Sequence, residues 1–550
     1  MSTLVCVSIM VTDEAAALRD AALARDAGAD MVEFRVDDFF AGSGDADDAA
    51  RVARLVSASP LPCILTCRPT WEGGQYDGDD DVRVAMFERA CVALGAGEHA
   101  PRYIDVELAA YNRSENLRLK VNLCVDPARE HSAGLILSSH DFDSRPADLT
   151  RRMLSMRSHG AARVHKVAFR ARSLRDNIEL FELVRQGDRP TIALGMGEFG
   201  LMSRVLAPKF GAFLTFASLR DASATAPGQP TVAQLLETYR FRSIRATTKV
   251  FGVVGWPVSH SLSPRIHNAG FGELGVDAVY LPMPIAAGAT PGDNDASLKA
   301  TLAELIEYGP LDFSGCSVTI PHKESLVRIA RGAGWEIDAG AAMIGAANTL
   351  VVSREGGRAR VRVFNSDAPA AIESIKGVLG SRGIAGLKVG VVGAGGAGRA
   401  IAFEAARSGA TPIVFNRDRA RAEELAAAVC DATGAAARGE ALHAMGDAAC
   451  DVWVNCTPVG MKNGPSPEGL AITEAALVRA ADARAVVMDT VYTPRETPLL
   501  KRARELGCTV VEGLEMFVRQ AAIQFEAWTG RRAPVEVFRR EVVAALTPEE

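Results

Sequence analysis

Nowhere do about eighteen apolar side chains run without interruption, so no segment of the chain reads as a helix that crosses a bilayer. Long basic runs are lacking as well, and with a formal net charge of −6 nucleic acid is not an expected partner. The ten cysteines are scattered without metal-type pairing, and no metal is expected. Cys63 and Cys67 fall in one expected strand at an even spacing that puts both on one face. They read as small buried hydrophobes in a reducing compartment, not as a metal site or a disulfide. The N-terminus enters a strand-like segment, Leu4–Val11, at once and leaves no room for a signal or transit peptide, so a cytoplasmic location is expected. What is present is an ordinary globular composition, 48% hydrophobic and 23% charged. At 550 residues one core does not suffice, and about three domains are expected.

In the first half, short apolar, β-branched runs recur at Leu4–Val11, Met31–Val36, Cys63–Cys67, Tyr103–Val106, Leu135–Ser139, Val164–Phe169, Thr191–Leu194 and Phe213–Ala217. Helix-like stretches such as Glu14–Ala27 and Val82–Leu94 lie between them. Short buried strands alternating with helices predict an α/β fold, here a (β/α)8 barrel, whose functional groups gather at the C-terminal strand ends. Glu33 and Arg35 end the second strand, Arg68 and Glu72 follow the third, and the fourth carries Asp105 and Glu107. His140 ends the fifth, the sixth contains Lys166, and Arg204 follows the seventh. A loop after the eighth reads Thr225-Ala226-Pro227-Gly228-Gln229.

Taken singly, most of these charges suit a surface salt bridge, and His140 suits a capping histidine. Lys166 stands apart, because Val164, Val167, Ala168 and Phe169 make its strand a buried one, where a lysine snorkels or is functional. Desolvation and nearby guanidinium groups are expected to lower its pKa from about 10.4. A neutral amine attacks a ketone to give an imine, which acidifies the adjacent carbon. His140 can then serve as base and afterwards as acid for a leaving hydroxyl, with arginines holding an anionic substrate.

The segments Glu33-Phe34-Arg35, Ser138-Ser139-His140-Asp141, Lys166-Val167-Ala168 and Ala226-Pro227-Gly228-Gln229 resemble the motifs of type I 3-dehydroquinate dehydratase, over roughly residues 3–240. The resemblance implies a Schiff-base lysine at Lys166 and an acid/base at His140. It also implies substrate contacts at Glu33, Arg35, Arg68, Glu72, Arg204, Thr225 and Gln229. Thr225 stands where that family usually has Ser; the hydroxyl is kept.

A second pattern begins after a polar link around Arg240–Thr248. Lys249–Gly255 reads as a strand broken at Gly255-Trp256-Pro257, and the turn Ser259-His260-Ser261-Leu262-Ser263-Pro264 then opens a helix. Hydroxyls and free N–H groups there suit a carboxylate, although an ordinary N-cap is an equal reading. Ser317-Val318-Thr319-Ile320 is expected to end a strand, with Pro321-His322-Lys323-Glu324 opening a helix. Asn348-Thr349 and Asn365-Ser366-Asp367 are expected to close two later strands.

Strand Leu387–Val392, the Gly-rich turn Gly393-Ala394-Gly395-Gly396-Ala397-Gly398-Arg399 and helix Ala400–Arg407 form the sharpest local motif, a dinucleotide fingerprint. The next strand, Pro412–Asn416, ends in Arg417-Asp418-Arg419-Ala420-Arg421. Arginines there suit the 2′-phosphate of NADP, whereas Asp418 opposes it; NADP is the expected cofactor.

The Ser-x-Ser turn, Val318–Lys323, Ala346–Thr349, Asn455–Met461 and Gly513–Gln524 are similar to shikimate dehydrogenase, over about residues 249–545. That similarity implies a catalytic pair Lys323 and Asp367, with substrate contacts at Ser261, Ser263, Thr319, Asn348, Tyr492 and Gln520. For the cofactor it implies Gly393, Ala394, Gly395, Gly396, Ala397, Asn416, Arg417, Arg421, Thr457 and Gly513. The chain departs from the commonest pattern at Ser317 (for Asn), Ser366 (for Thr) and Asp418 (for Thr). The alternative to hydride transfer with proton relay is a structural Lys323–Asp367 ion pair.

Expected boundaries are 1–243 for the barrel, 249–370 for a substrate domain completed by helices near 514–547, and 371–513 for a Rossmann domain. The expected activity is dehydration of 3-dehydroquinate followed by NADPH-dependent reduction of 3-dehydroshikimate to shikimate. Two alternatives stand beside it: quinate in place of shikimate, against which Ser263 argues, and a non-catalytic metabolite-sensing regulator. The regulator predicts erosion of the reactive residues, and all are present.

Overall fold

In the computed structural model the described residues are 2–547 apart from 41–45, 96, 129–131 and 221–227. Two compact units divide the chain, Met1–Thr248 with Leu281–Pro284 and Lys249–Tyr280 with Ile285–Glu550.

The first unit holds β1 (Leu4–Met10), β2 (Met31–Arg35), β3 (Cys63–Thr66), β4 (Tyr103–Glu107), β5 (Gly134–Asp141), β6 (Ala162–Arg170), β7 (Thr191–Met196) and β8 (Leu214–Ala217). Their order is β7-β6-β5-β4-β3-β2-β1-β8, and β1 pairs in parallel with both β2 and β8. Phe213 N–H donates to Thr191 O at 2.9 Å, so the circle is nearly closed.

Period two along each strand explains how a packed barrel holds an open polar site. Cys6, Met31, Ile64, Ile136, Val164, Ile192 and Leu214 form one buried apolar cluster. Two residues further along, with the same facing, come Ser8, Glu33, Thr66, Ser138, Lys166, Leu194 and Phe216. Most of these strands thus pass from an apolar floor toward a polar C-terminal layer, while β7 and β8 keep the apolar Leu194 and Phe216 there. Cys67 lies just past the end of β3, so the shared strand expected for Cys63 and Cys67 is not formed. All ten cysteines are free thiols, eight of them buried.

Beyond Thr248 the chain forms two further sheets. The first comprises β9 (Lys249–Gly255), β10 (Ala278–Pro284), β11 (Phe313–Val318), β12 (Glu336–Ile337), β13 (Thr349–Glu355) and β14 (Arg358–Phe364), in the order β10-β9-β11-β13-β14-β12. Asn348-Thr349 therefore opens a strand, where the sequence suggested that it closes one. β13 and β14 form an antiparallel hairpin with Thr349 opposite Phe364, which brings the start of one beside the end of the other. Asn348 and Ser366 become neighbours for that reason.

The second sheet comprises β15 (Lys388–Val392), β16 (Thr411–Asn416), β17 (Arg438–Ala441), β18 (Val452–Asn455), β19 (Val486–Asp489) and β20 (Thr509–Val511). All its pairs are parallel and the order is β17-β16-β15-β18-β19-β20, the doubly wound arrangement of dinucleotide domains. The helix after the Gly-rich turn starts at Gly396, a turn earlier than expected, because its glycines are helical. Helices Gly513–Thr529 and Val535–Leu546 return to the first sheet, where Phe517, Phe525, Trp528 and Phe538 pack with Phe251, Ile266, Phe271 and Tyr280. Among the described residues no helix is long and apolar enough to cross a membrane.

Candidate active sites

In the barrel, Glu33, Arg35, Arg68, Glu72, His140, Lys166, Arg204 and Gln229 all line one cavity of about 70 Å³ at the C-terminal strand ends. Thr225 lies outside the described residues. Lys166 is buried, its Nζ 2.8 Å from Asp105 Oδ2 and 3.5 Å from Glu33 Oε1, and 4.5 Å from the Phe216 ring centre. The guanidinium surroundings expected for it are offset by carboxylates. Arg68 donates to Asp105 at 2.8 Å and to Glu107 at 2.7 Å, and Arg35 makes a two-pronged pair with Asp37. Burial alone would raise the Glu33 carboxyl, but Lys166 and Arg35 outweigh it and lower its pKa. At Asp105 burial is likewise overridden, by Arg68 and Lys166, which hold it well below the usual range.

Arg204 differs from the other two arginines. It is buried, no hydrogen-bond partner meets its Nε among the described residues, and burial lowers its pKa to about 10. It therefore stays cationic at neutral pH, the state of a group that awaits an anion.

Glu72 Oε1 lies 2.9 Å from His140 Nδ1 and accepts the His140 backbone N–H at 2.8 Å. Burial, then Arg68 and Lys166, push the His140 pKa well below its usual value, while burial pushes the Glu72 carboxyl up to about 8. Sequence reasoning missed the buried support. Ser8 and Thr66 donate to Glu33 at 2.6 and 2.9 Å, Ser138 donates to Asp105 at 2.6 Å, and Arg83 clamps Glu107 at 2.7 Å from outside the cavity. The available signal was a charge at an interior position of an apolar strand, as in Tyr103-Ile104-Asp105-Val106-Glu107.

In the second unit, Lys323 and Asp367 each open a helix and meet at 2.6 Å (Nζ to Oδ2). Beside them, Asn348 Oδ1 accepts the Ser366 N–H at 2.8 Å, which fixes the amide so that Nδ2 faces Ser366 Oγ (3.0 Å) and Gln520 Oε1 (3.4 Å). Ser261 Oγ accepts the Ser263 N–H at 3.3 Å. Ser317, where the family's commonest pattern has Asn, accepts from Tyr280 Oη at 2.6 Å and donates to Gln524 at 2.9 Å, two partners not foreseen. Thr319 packs its methyl against Gly255, where a Cβ would come within 2.3 Å. Tyr492 stacks on Phe517 at 4.6 Å, and burial raises its pKa, which keeps the phenol a donor.

The Gly-rich turn is shaped for close approach. A Cβ on Gly398 would fall 1.9 Å from Gly393 O, and one on Gly393, at φ +106°, would come within 2.9 Å of Thr457. At Gly395 there is open space, and at Gly396 the nearest atom is Lys323 Cδ, 3.7 Å away. Open backbone at a helix start fits a pyrophosphate. Asn416 Nδ2 donates to Asp418 O, and Asp418 Oδ1 caps the next helix through Ala420 N–H at 3.1 Å. Arg419 pairs with Glu423, whereas Arg417 and Arg421 have no carboxylate partner among the described residues. The residues present thus fit an NADP molecule. Gly513, also expected at the cofactor, starts the helix Gly513–Thr529, hard against Val491 O.

A barrel with a buried lysine among carboxylates, joined to a Lys–Asp pair beside a dinucleotide fold, defines a two-centre lyase and oxidoreductase. Residues 5–246 match type I 3-dehydroquinase, 253–350 the shikimate dehydrogenase substrate binding domain, and 513–543 the shikimate 5'-dehydrogenase C-terminal domain. The chloroplastic bifunctional 3-dehydroquinate dehydratase/shikimate dehydrogenase of Arabidopsis thaliana is 36% identical over 549 residues, covering 98% of this chain and 83% of that one. The shikimate dehydrogenase (NADP(+)) of Methanocella arvoryzae is 38% identical over 304 residues, 54% of this chain and 99% of that one. A solved shikimate 5-dehydrogenase of Thermus thermophilus with NADP(H) and shikimate is 30% identical, covering 54% of this chain and all of that one at a TM-score of 0.42. The chain belongs to the bifunctional 3-dehydroquinate dehydratase/shikimate dehydrogenase family.

Proposed function

We propose a division of labour between the two centres that follows their geometry. The enzyme dehydrates 3-dehydroquinate to 3-dehydroshikimate in the barrel and reduces that ketone to shikimate with NADPH in the second unit. Residues 1–243 carry the first step. Residues 249–370, with helices from about 514–547, hold the second substrate, and 371–513 hold the dinucleotide.

In the barrel Lys166 adds to the ketone, and loss of water gives the iminium. Asp105 and Glu33, both ionised, face the nitrogen and stabilise its positive charge. His140 takes a proton from the adjacent carbon and returns one to the departing hydroxyl; water then releases the product from Lys166. Glu72 holds the imidazole through Nδ1. Arg204 takes the substrate carboxylate, with Arg35, Arg68, Gln229 and Thr225 as further contacts.

In the second unit NADPH, when bound, supplies the hydride. Lys323 gives a proton to the developing alkoxide, and Asp367 holds the lysine and a substrate hydroxyl. Ser261, Ser263, Thr319, Asn348, Tyr492 and Gln520 orient the substrate. Gly393, Ala394, Gly395, Gly396 and Ala397 surround the pyrophosphate, Asn416, Arg417 and Arg421 the adenosine end, and Thr457 and Gly513 the nicotinamide side. In this reading the enzyme works in the cytoplasm, which cell fractionation with an activity assay checks.

The observation that carries the reading is Lys166 Nζ buried between two carboxylates in a cavity with His140. Borohydride reduction in the presence of 3-dehydroquinate is expected to fix one substrate-derived adduct on Lys166, located by peptide mass spectrometry. Full dehydratase turnover without an adduct there would sink the assignment.

A further inference from the structure

A polar group that neither reaction uses is buried at the C-terminal ends of β18 and β19. Asn455 and Asp489, the last residues of these strands, are fully buried and paired in register. Asp489 Oδ1 accepts Asn455 Nδ2 at 2.9 Å and the Val491 N–H at 3.0 Å, and its Oδ2 accepts the Thr497 hydroxyl at 2.7 Å. The bond to Asp489 fixes the Asn455 amide. With Nδ2 committed to Asp489 and to Val459 O (3.2 Å), Oδ1 faces Thr457 and accepts both its N–H at 2.9 Å and its hydroxyl at 2.7 Å.

The same carboxylate therefore grips two loops. One, residues 455–461, carries Thr457; the other, residues 490–497, carries Tyr492 and is pinned at both ends, by Val491 and Thr497. Gly513 reinforces the arrangement, since a Cβ there would come within 2.4 Å of Val491 O and 2.9 Å of Asp489 O. The helix that bears Gln520 consequently starts against this strand end. Burial pushes the Asp489 carboxyl up to about 6, so its three donors only partly offset the cost of hiding a charge. Side-chain packing alone gives no reason for an acid in such a place; the two loops it holds do.

We propose that Asp489 is a positioning residue for hydride transfer, registering the Thr457 loop against the Tyr492 loop. The inference rests on the reading of Thr457 as a cofactor contact and Tyr492 as a substrate contact. Misplacement by an ångström at a reacting centre costs about 100-fold in rate. In the full chain, with dehydratase activity reporting the intact barrel, Asp489→Ala is expected to lower shikimate dehydrogenase kcat by about that factor. It should also raise both the NADPH Kd, read by fluorescence titration, and the shikimate KM. Asp489→Asn is expected to recover most of the loss, because its oxygen still accepts from Asn455 and Val491 while the Thr497 hydroxyl turns to accept from its amide.

The two arms separate in single variants. Asn455→Ala raises the NADPH Kd and leaves the shikimate KM, and Thr497→Ala does the reverse, so these carry the test if Asp489→Ala does not fold. Lowered Tm with unchanged kcat, KM and Kd in these variants overturns the proposal and leaves Asp489 a stabilising group. Thr457→Val and Tyr492→Phe test the underlying reading. If they act while the Asp489, Asn455 and Thr497 variants do not, the proposal alone fails; if they too are silent, the reading fails and the proposal with it.

Discussion

His140 and Glu72 act as one titrating unit, because a buried imidazole and a buried carboxyl 2.9 Å apart cannot lose or gain protons independently. Burial raises Glu72 to about 8 and lowers His140, so at neutral pH the pair carries one proton more than the form in which His140 Nε2 is a free base behind an ionised Glu72. Dehydratase kcat/KM is therefore expected to fall as pH drops below about 8. In Glu72→Gln the amide oxygen still accepts from Nδ1–H, but the carboxyl proton is gone and His140 titrates alone, below its usual 6.5. The acid limb should then move to lower pH, at some cost in rate from a less basic imidazole. A pH profile of both enzymes decides, and an unmoved acid limb would show that Glu72 does not share the proton. At this scale the reactive residues were legible in the sequence, since His140, Lys323 and Asp367 are polar side chains at a strand end or helix start and Lys166 is a charge inside an apolar strand. Their supports were not. Ser8, Thr66 and Arg83 look like ordinary polar residues until the strands close and bury them around Glu33 and Glu107.

Among the elements, the Gly-rich turn was the easiest to read and leads to the sharpest structural prediction. Gly398 sits in the first turn of helix Gly396–Arg407 with Gly393 O in the way of any Cβ, at 1.9 Å. Backbone cannot yield as a side-chain end can, so Gly398→Ala must displace either the helix start or the end of β15. The expected outcome is loss of shikimate dehydrogenase activity and of NADPH-induced thermal stabilisation, with dehydratase activity kept. Unchanged NADPH stabilisation would refute this. Gly395→Ala tests a different property, because open space surrounds that position and only a bound pyrophosphate would meet the methyl. Parallel strands could be read because buried β-branched runs mark them wherever they pair. The β13–β14 hairpin could not, since the side of a strand on which Asn348 falls depends on antiparallel pairing with a partner the local pattern does not name. Asp418 shows a similar limit: its charge is visible in the sequence, but its commitment to a helix cap, beside an Arg417 and an Arg421 with no carboxylate partner among the described residues, is not.

For the whole molecule, the question is what joining two successive reactions in one chain achieves. The described residues around Lys166 and His140 come from residues 8–229, and those around Lys323 and Asp367 from residues 261–524. Fusion guarantees equal numbers of the two sites. For two units on a short flexible tether in general, the effective concentration of one for the other is on the order of millimolar. That advantage concerns a bound partner; a released small molecule diffuses away far faster than an enzyme turning over about 10 times per second can capture it. The lag before NADPH oxidation, starting from 3-dehydroquinate, should therefore be set by the KM and Vmax of the dehydrogenase alone. An equimolar mixture of Lys166→Ala and Lys323→Ala chains provides the comparison, each contributing one working centre, at twice the total chain so that site concentrations equal those of the wild-type enzyme. Equal lags are expected. A shorter lag for the intact chain would mean that 3-dehydroshikimate passes between centres without mixing with solvent, and free equilibration of the intermediate would have to be abandoned.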